Sequence, residues 1–423
     1  MVKYRKNTKL GGVMQKYWKK NINLFLMGQF LSGITSMVVQ YAIIWYLTQE
    51  TGSATILSFA TLLGMLPMVL LSPFVGPLID RWDKKKLLIY TDIIVAIFAL
   101  ILSIVGTVMS TFPLWLVFVS LFIRSVAQTF QMPTIQSILP TMVPEEELTR
   151  INGRLGMVQS ANYIVAPGLG AFLFAAVPMN ALILLDVLGA ILGVGLLILV
   201  VIPKMDIQGE TVHLLADTKF GVKKLYEKRG LWHIMLNGAV FMLLFMPAAS
   251  LYPLMTMGYF NGTVGQAGLI EVIYAVGMLV GGAVIGFSGH FKNRMQLVII
   301  SYIVLGVSVT ASGLLPATSQ GFIYFVLLNA IAGLATPYYN TLVMAMIQQS
   351  FEPSILGRVL GVFNSLMSLS GPIGLIFAGP LADALGVEKL FVIAGVGTLL
   401  CAIALYLVPS ARNYDLELQS KHS

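Results

Sequence analysis

The sequence predicts an all-α membrane protein with twelve transmembrane helices, on three observations. Between Leu24 and Val408 one apolar stretch follows another. There are about twelve, each of about 20–26 residues, and at 1.5 Å per residue each can cross a hydrocarbon core of ~30 Å. The composition is 57% hydrophobic and only 10% charged, against ~25% charged residues in soluble domains. The formal net charge is +8, yet on the spans drawn below every Lys and Arg except Arg124 and Lys389 falls on one side of the membrane. That is the positive-inside bias of cytoplasmic loops. The cationic excess is topological, and no nucleic-acid partner is expected.

The spans run at 21–48, 54–79, 87–110, 113–139, 152–176, 180–202, 231–257, 265–288, 296–315, 320–346, 355–380 and 390–408. Residues 1–20 are basic (Lys3, Arg5, Lys6, Lys9, Lys16, Lys19, Lys20) and run into a segment too long for a cleaved signal peptide. This predicts a retained first helix that starts in the cytosol. Outward loops are short, and only Glu50, Asp383, Glu388 and Lys389 stand outside. Inward loops carry Arg81 and Lys84 to Lys86, then Arg150 and Arg154, then Lys292 and Arg294. An even helix count returns the tail, 409–423, to the cytosol. The polar loop 203–230 separates an N-terminal bundle, 21–202, from a C-terminal bundle, 231–408. Within it residues 219–230 fit either a surface helix or a plain linker. The single cysteine, Cys401, leaves no intrachain disulfide and no Cys-based metal site.

The halves read as a repeat. Pro133 and Pro337 share one offset with Gly153-Arg154 and Gly357-Arg358. Gly156 and Pro167 match Gly361 and Pro372 one residue further on. Two repeats of six helices in the same orientation imply bundles related by an axis along the membrane normal, with a shared cavity opening to either side in turn.

The loop after the second span reads Gly76-Pro77-Leu78-Ile79-Asp80-Arg81-Trp82-Asp83-Lys84-Lys85-Lys86. It resembles the signature loop of the major facilitator superfamily, with Gly76, Asp80, Arg81 and Lys85 fitting the pattern and Asp83 standing where a glycine is usual. The resemblance implies a gating latch between the bundles. The corresponding loop of the second half has His290 where an aspartate would stand. In span 5, Asn162-Tyr163-Ile164-Val165-Ala166-Pro167-Gly168-Leu169-Gly170-Ala171 resembles the family's antiporter motif through Pro167 and Gly170. Further stretches, among them Leu121 to Ser125, Val143 to Thr149 and Asp186 to Ala190, resemble the macrolide-efflux branch of bacterial drug:proton antiporters. That branch implies a multi-pass bacterial cytoplasmic-membrane carrier, with protons as coupling ion and no cofactor. Its partners would be a small amphipathic substrate and membrane lipids, with a monomer sufficient for function.

An ionisable group in hydrocarbon costs roughly 2.5–3.5 kcal/mol or more, so each one calls for a reason. Arg124, Asp92, Asp186 and Glu271 lie inside spans and are the proton-coupling candidates. Glu271 ranks first; structural ion pairing is the alternative for the other three. Polar residues also recur at helical spacing: Gln29, Gly33, Ser36 and Gln40; Arg124, Gln128 and Gln131; Asn329, Gly333, Thr336 and Asn340. Each set lies on one helix face, turned to a wet cavity or to another helix. With the bulky Tyr41, Phe130, Tyr163, Phe241, Phe245, Tyr252, Tyr338 and Tyr339 they are the candidate substrate lining.

No G-x-x-x-x-G-K-[ST] phosphate loop, no H-E-x-x-H and no convincing metal set occur in the sequence. The resemblance therefore implies an exporter of amphipathic drugs, macrolides among them, and not an enzyme. Export of a siderophore or lipid-like metabolite is the alternative cargo, and a non-transporting membrane sensor or scaffold the alternative class.

Overall fold

In the computed structural model the structure describes residues 8–203, 214–288 and 291–420; the side chains of 8–17, 73, 76, 77, 80, 81, 145, 149, 214–217, 353 and 354 lie outside that description, as does His290. The chain is helical almost throughout. The helices are α1 (Thr8–Thr51), α2 (Ala54–Arg81), α3 (Lys84–Met109), α4 (Leu114–Met142), α5 (Leu148–Ala176), α6 (Met179–Ile183) and α7 (Leu185–Leu199). They continue as α8 (Leu214–Glu227), α9 (Arg229–Ser250), α10 (Tyr252–Leu254), α11 (Val264–Ser288) and α12 (Arg294–Leu314). The last are α13 (Ser319–Ser350), α14 (Pro353–Leu385), α15 (Val387–Leu407), α16 (Pro409–Arg412) and α17 (Tyr414–Ser420).

Among the described residues, 12 helical spans are long and apolar enough to cross a membrane. Two of them are not single α-helices. The span Met179–Leu199 jogs at Leu184, whose N–H bonds to Ala181 at 3.1 Å in a tighter turn and separates α6 from α7. The span Arg229–Tyr259 contains Pro247, which has no N–H to donate, and ends in a π-helical turn, Met255–Tyr259. The first jog places Asp186 in the opening turn of α7.

Helix ends are held by side chains. Asp83 caps α3 by accepting from the N–H of Lys86 at 3.2 Å. Its φ of −66° is ordinary for any residue, so this turn has no need of the family's glycine. Asn293 and Thr318 cap α12 and α13 in the same way. Lys85 Nζ donates to the carbonyls of Ile198 (2.9 Å) and Val200 (2.7 Å), at the C-terminal end of α7. Both the free carbonyls and the negative helix end there favour a cation.

The chain divides into two compact units: Met1–Ile43 with Leu66–Val212, and Ile44–Met65 with His213–Ser423. The end of α1 and the first half of α2 thus pack with the second unit. In the first, Ile22, Phe25, Ile138, Leu139, Met142 and Ile151 form an apolar core. Gly28 and Gly193 bring α1 and α7 close: a Cβ added at Gly193 would lie 3.0 Å from the Ser32 Cβ. In the second unit, rings dominate. Phe241 stacks on Tyr302 at 4.6 Å between centroids, and Tyr252 on Phe325 at 5.6 Å. Gly277 and Gly333 let α11 and α13 touch backbone to backbone. Large apolar side chains such as Phe172, Phe287, Leu314 and Leu407 point outward, as a lipid-facing surface requires.

The central loop folds over part of its length into α8, whose Phe220 ring lies 5.1 Å from the Arg358 guanidinium on α14. The tail is also built in. Asp415 is fully buried and accepts from the Arg294 N–H at 2.6 Å and from Arg294 Nε at 2.7 Å, while Tyr414 bonds Ser350 at 2.6 Å.

Candidate functional site

The first unit carries a buried polar cluster on α1, α3, α4 and α7. Arg124 and Asp186 are 2% and 3% exposed and pair in a two-pronged, fork-to-carboxylate bond; the second prong, Nη1 to Oδ1, is 3.1 Å. The same Nη1 donates to Ser36 Oγ at 2.8 Å. The Arg124 Nε–H has no hydrogen-bond partner among the described residues. One turn back along α1, Ser32 Oγ donates to Asp92 Oδ1 at 3.4 Å, and Gln131 Nε2 donates to the same oxygen at 2.5 Å. Among the described residues Asp92 faces no cation. The cluster therefore holds two carboxylates and one guanidinium.

The second unit carries a cavity of about 60 Å³ with Glu271 in its wall. Glu271 makes no hydrogen bond or ion pair among the described residues. Around it stand Phe245 and Tyr252, Tyr274 and Asn329. Tyr274 bonds the hydroxyl of Thr336 at 2.8 Å, and Thr336 in turn donates to the Ala332 carbonyl at 2.9 Å. Asn329 Nδ2 donates to the Ile270 carbonyl at 2.7 Å, which leaves its Oδ1 buried and without a partner.

Placement of the predicted residues is uneven. Of the polar stripes, Ser36, Gln131, Asn329 and Thr336 turn to neighbouring helices, while Gln128 and Asn340 are exposed and Gln29 and Gln40 half-buried. Phe245 and Tyr252 line the Glu271 cavity. Phe241 does not; it is packed between Phe245, Tyr302 and Tyr339. Phe130 stacks on Trp82 at 6.0 Å, Tyr163 is exposed, and Tyr41 and Tyr338 are half-buried. Pro167 and Gly170 are buried within α5. Of the gating motif, Lys85 caps α7, whereas the side chains of Gly76, Asp80 and Arg81 lie outside the described residues. Ser32 and Tyr274 escaped the sequence reading. Ser32 is one turn before Ser36 but off the stripe, and Tyr274 is one turn after Glu271, a spacing that was there to be read.

A family model described as Major Facilitator Superfamily matches residues 25–259 and 234–421. The chain belongs to the major facilitator superfamily. This facilitator is 39% identical over 408 residues to macrolide efflux protein A of Streptococcus pyogenes, spanning 96% of this chain and 100% of the relative. It is 24% identical over 407 residues to the multidrug efflux pump Tap of Mycolicibacterium fortuitum, spanning 93% and 97% of the two chains. Among solved structures, a bacterial homologue of the iron transporter ferroportin in an inward-facing state matches with a TM-score of 0.71 at 17% identity, covering 91% of this chain and 98% of that one. The facilitator fold accounts for the all-α class and the twelve spans, and makes the protein a multi-pass membrane protein.

Proposed function

We propose that this facilitator exports amphipathic drugs, macrolides among them, out of the cytosol or inner leaflet in exchange for protons. Both termini lie in the cytosol, the proton is the coupling ion, and no cofactor takes part. The cargo rests on the end-to-end likeness to a macrolide efflux protein. The coupling rests on one observation: of two buried carboxylates in one polar cluster, Asp186 pairs with the guanidinium of Arg124 and Asp92 is held by Ser32 and Gln131 with no cation beside it among the described residues. Arg124 cannot lose its charge at ordinary pH, so one acid can be balanced by it and the other by a proton. A proton arriving from outside neutralises the acid that Arg124 does not hold and loosens the bonds that tie α1, α3, α4 and α7. Its loss to the cytosol restores them. The free Nε–H of Arg124 offers the second acid a place to bind.

The test uses purified protein in sealed vesicles with a pH-sensitive dye inside. Erythromycin added to an energised preparation should drive proton flux opposite to its own movement, and D92N should uncouple the two. Erythromycin transport indifferent to the pH gradient in the unaltered protein would remove antiport from this reading.

A further inference from the structure

The central loop contains a basic helix, α8, that is docked on one side and uncovered on the other among the described residues. Its docked side meets α14. A Cβ added at Gly221 would lie 2.7 Å from the Arg358 carbonyl oxygen, so glycine lets the two helices come this close. Leu225, one turn on, is fully buried. The opposite side carries Lys219, Val222, Lys223 and Tyr226, at the i, i+3, i+4 and i+7 spacing of a single helix face. All four are exposed, Val222 at 37% and Tyr226 at 47%. The Arg229 guanidinium lies 4.6 Å from the centre of the Tyr226 ring and extends this face. Residues 218–229 hold five basic side chains against one acid, Glu227, which pairs with Lys224 at 2.8 Å. The depth of the helix follows from its connection. α8 ends at Glu227 and α9 begins at Arg229, where a candidate membrane span also begins, so the end of α8 lies where the chain enters hydrocarbon. Tyr226 meets Trp232, the first ring of α9, edge-on at 5.5 Å. Trp and Tyr collect at that level of a bilayer.

We propose that the uncovered face of α8 binds the anionic headgroups of membrane phospholipids, phosphatidylglycerol being the type. The proposal goes beyond the export reading and does not depend on its cargo. Lys219, Lys223 and Arg229 supply positive charge to the lipid phosphates, while Val222 and Tyr226 reach the glycerol and upper acyl region. A face turned wholly to water gains nothing from a valine and a tyrosine set between its lysines, whereas the headgroup layer solvates both kinds. A soluble polyanion would answer the charge alone; the exposed apolar side chains and the place at the mouth of a span favour lipid. Gly221 and Leu225 fix α8 on α14, and Lys228 joins it to α9. A lipid held on α8 therefore tethers the ends of two spans to the leaflet.

The experiment reads lipid contact at the helix itself. The chain's single cysteine, Cys401, is buried, so T218C/C401S carries one environment-sensitive dye one turn before Val222. The full-length protein is placed in phosphatidylcholine nanodiscs that contain a minor share of either phosphatidylglycerol or phosphatidylcholine with brominated chains. Quenching of the dye should favour brominated phosphatidylglycerol about fivefold or more. Adding K219Q/K223Q should bring the two lipids close to parity, K219R/K223R should keep the preference, and about 0.5 M salt should weaken it. Thermal unfolding checks that each variant is folded. Iodide in the aqueous phase should quench the dye weakly when phosphatidylglycerol is present. Glycerophosphoglycerol, the same headgroup without chains, should not displace the lipid. Equal quenching by the two brominated lipids, a preference that survives in folded K219Q/K223Q, or iodide quenching as strong as that of the dye free in water overturns the lipid site. Displacement by the chainless headgroup overturns it too, because the face would then take a soluble phosphate.

Discussion

The two units solve the problem of charge in hydrocarbon in opposite ways. In the first, Arg124, Asp186 and Asp92 are enclosed, and every carboxylate has a donor: the guanidinium for Asp186, Gln131 and Ser32 for Asp92. In the second, Glu271 stands at a cavity with Tyr252, Tyr274 and Asn329 in its wall and makes no hydrogen bond or ion pair among the described residues. Saturated polar networks rigidify a core, whereas an unsatisfied one is tolerated only where something else completes it. The first unit balances its charges internally, whereas the second leaves Glu271 without a counter-charge among the described residues.

The harshest way to break this contrast is to strand a charge in the first unit. R124A or D186A leaves a buried partner uncompensated, which should cost about 3–5 kcal/mol. Thermal unfolding in detergent, followed by tryptophan fluorescence, would show the loss. The double substitution R124L/D186L removes both charges and should recover most of the stability. Unfolding equal to wild type in both single variants would mean that the pair is not made.

Substituting Asp92 tests the other half of the balance. D92N keeps the shape and presents an amide where the carboxylate was, so the fold should survive while proton-dependent efflux falls about tenfold or more. Drug accumulation in cells at external pH 6 and 8 checks it: the unaltered protein should respond to the gradient and the variant should not. If D92N responds fully, the surplus carboxylate is structural and the first unit carries no coupling.

How much of this was legible beforehand follows from what lipid imposes. A helix must stay apolar for a whole bilayer thickness, so all the spans stand out in the sequence. For the same reason Arg124, Asp92, Asp186 and Glu271 are conspicuous as the charges that break the pattern. Their partners were hidden, because Arg124 and Asp186 are 62 residues apart and helix periodicity says nothing of which helices pack together. Lipid-facing and core-facing surfaces are both apolar, so Phe241 read as readily for a cavity lining as for the ring stack in which it lies. The jog at Leu184 falls within an apolar run, Ile183-Leu184-Leu185, with no Gly or Pro to announce it.

Smaller effects sharpen the comparison at helix ends. In the second unit Asp383 accepts from the N–H groups of Ala54 (2.6 Å) and Thr55 (3.0 Å) and from Ser53 Oγ (2.9 Å), so a residue late in the chain caps the start of α2. As a bare external charge in the sequence it carried no such meaning. D383A removes an N-terminal cap and should cost about 0.5–2 kcal/mol. Hydrogen exchange should quicken at residues 54–57 and leave the Glu271 region unchanged.

The first unit uses the opposite polarity. Lys85 places its ammonium on the carbonyls of Ile198 and Val200 at the C-terminal end of α7, the helix that carries Asp186. K85M keeps the aliphatic stem and removes the charge, which should cost about 0.3–1 kcal/mol. The value of the experiment lies in where the loss is felt. Loosening the C-terminal end of α7 leaves the Asp186 end, at its first turn, tied by Arg124, so exchange should rise near Ile198 and not near Asp186. Drug efflux should then keep its pH dependence. If K85M also blunted that dependence, the end cap and the buried pair would be one mechanical element, and the basic loop would act on the proton site through α7.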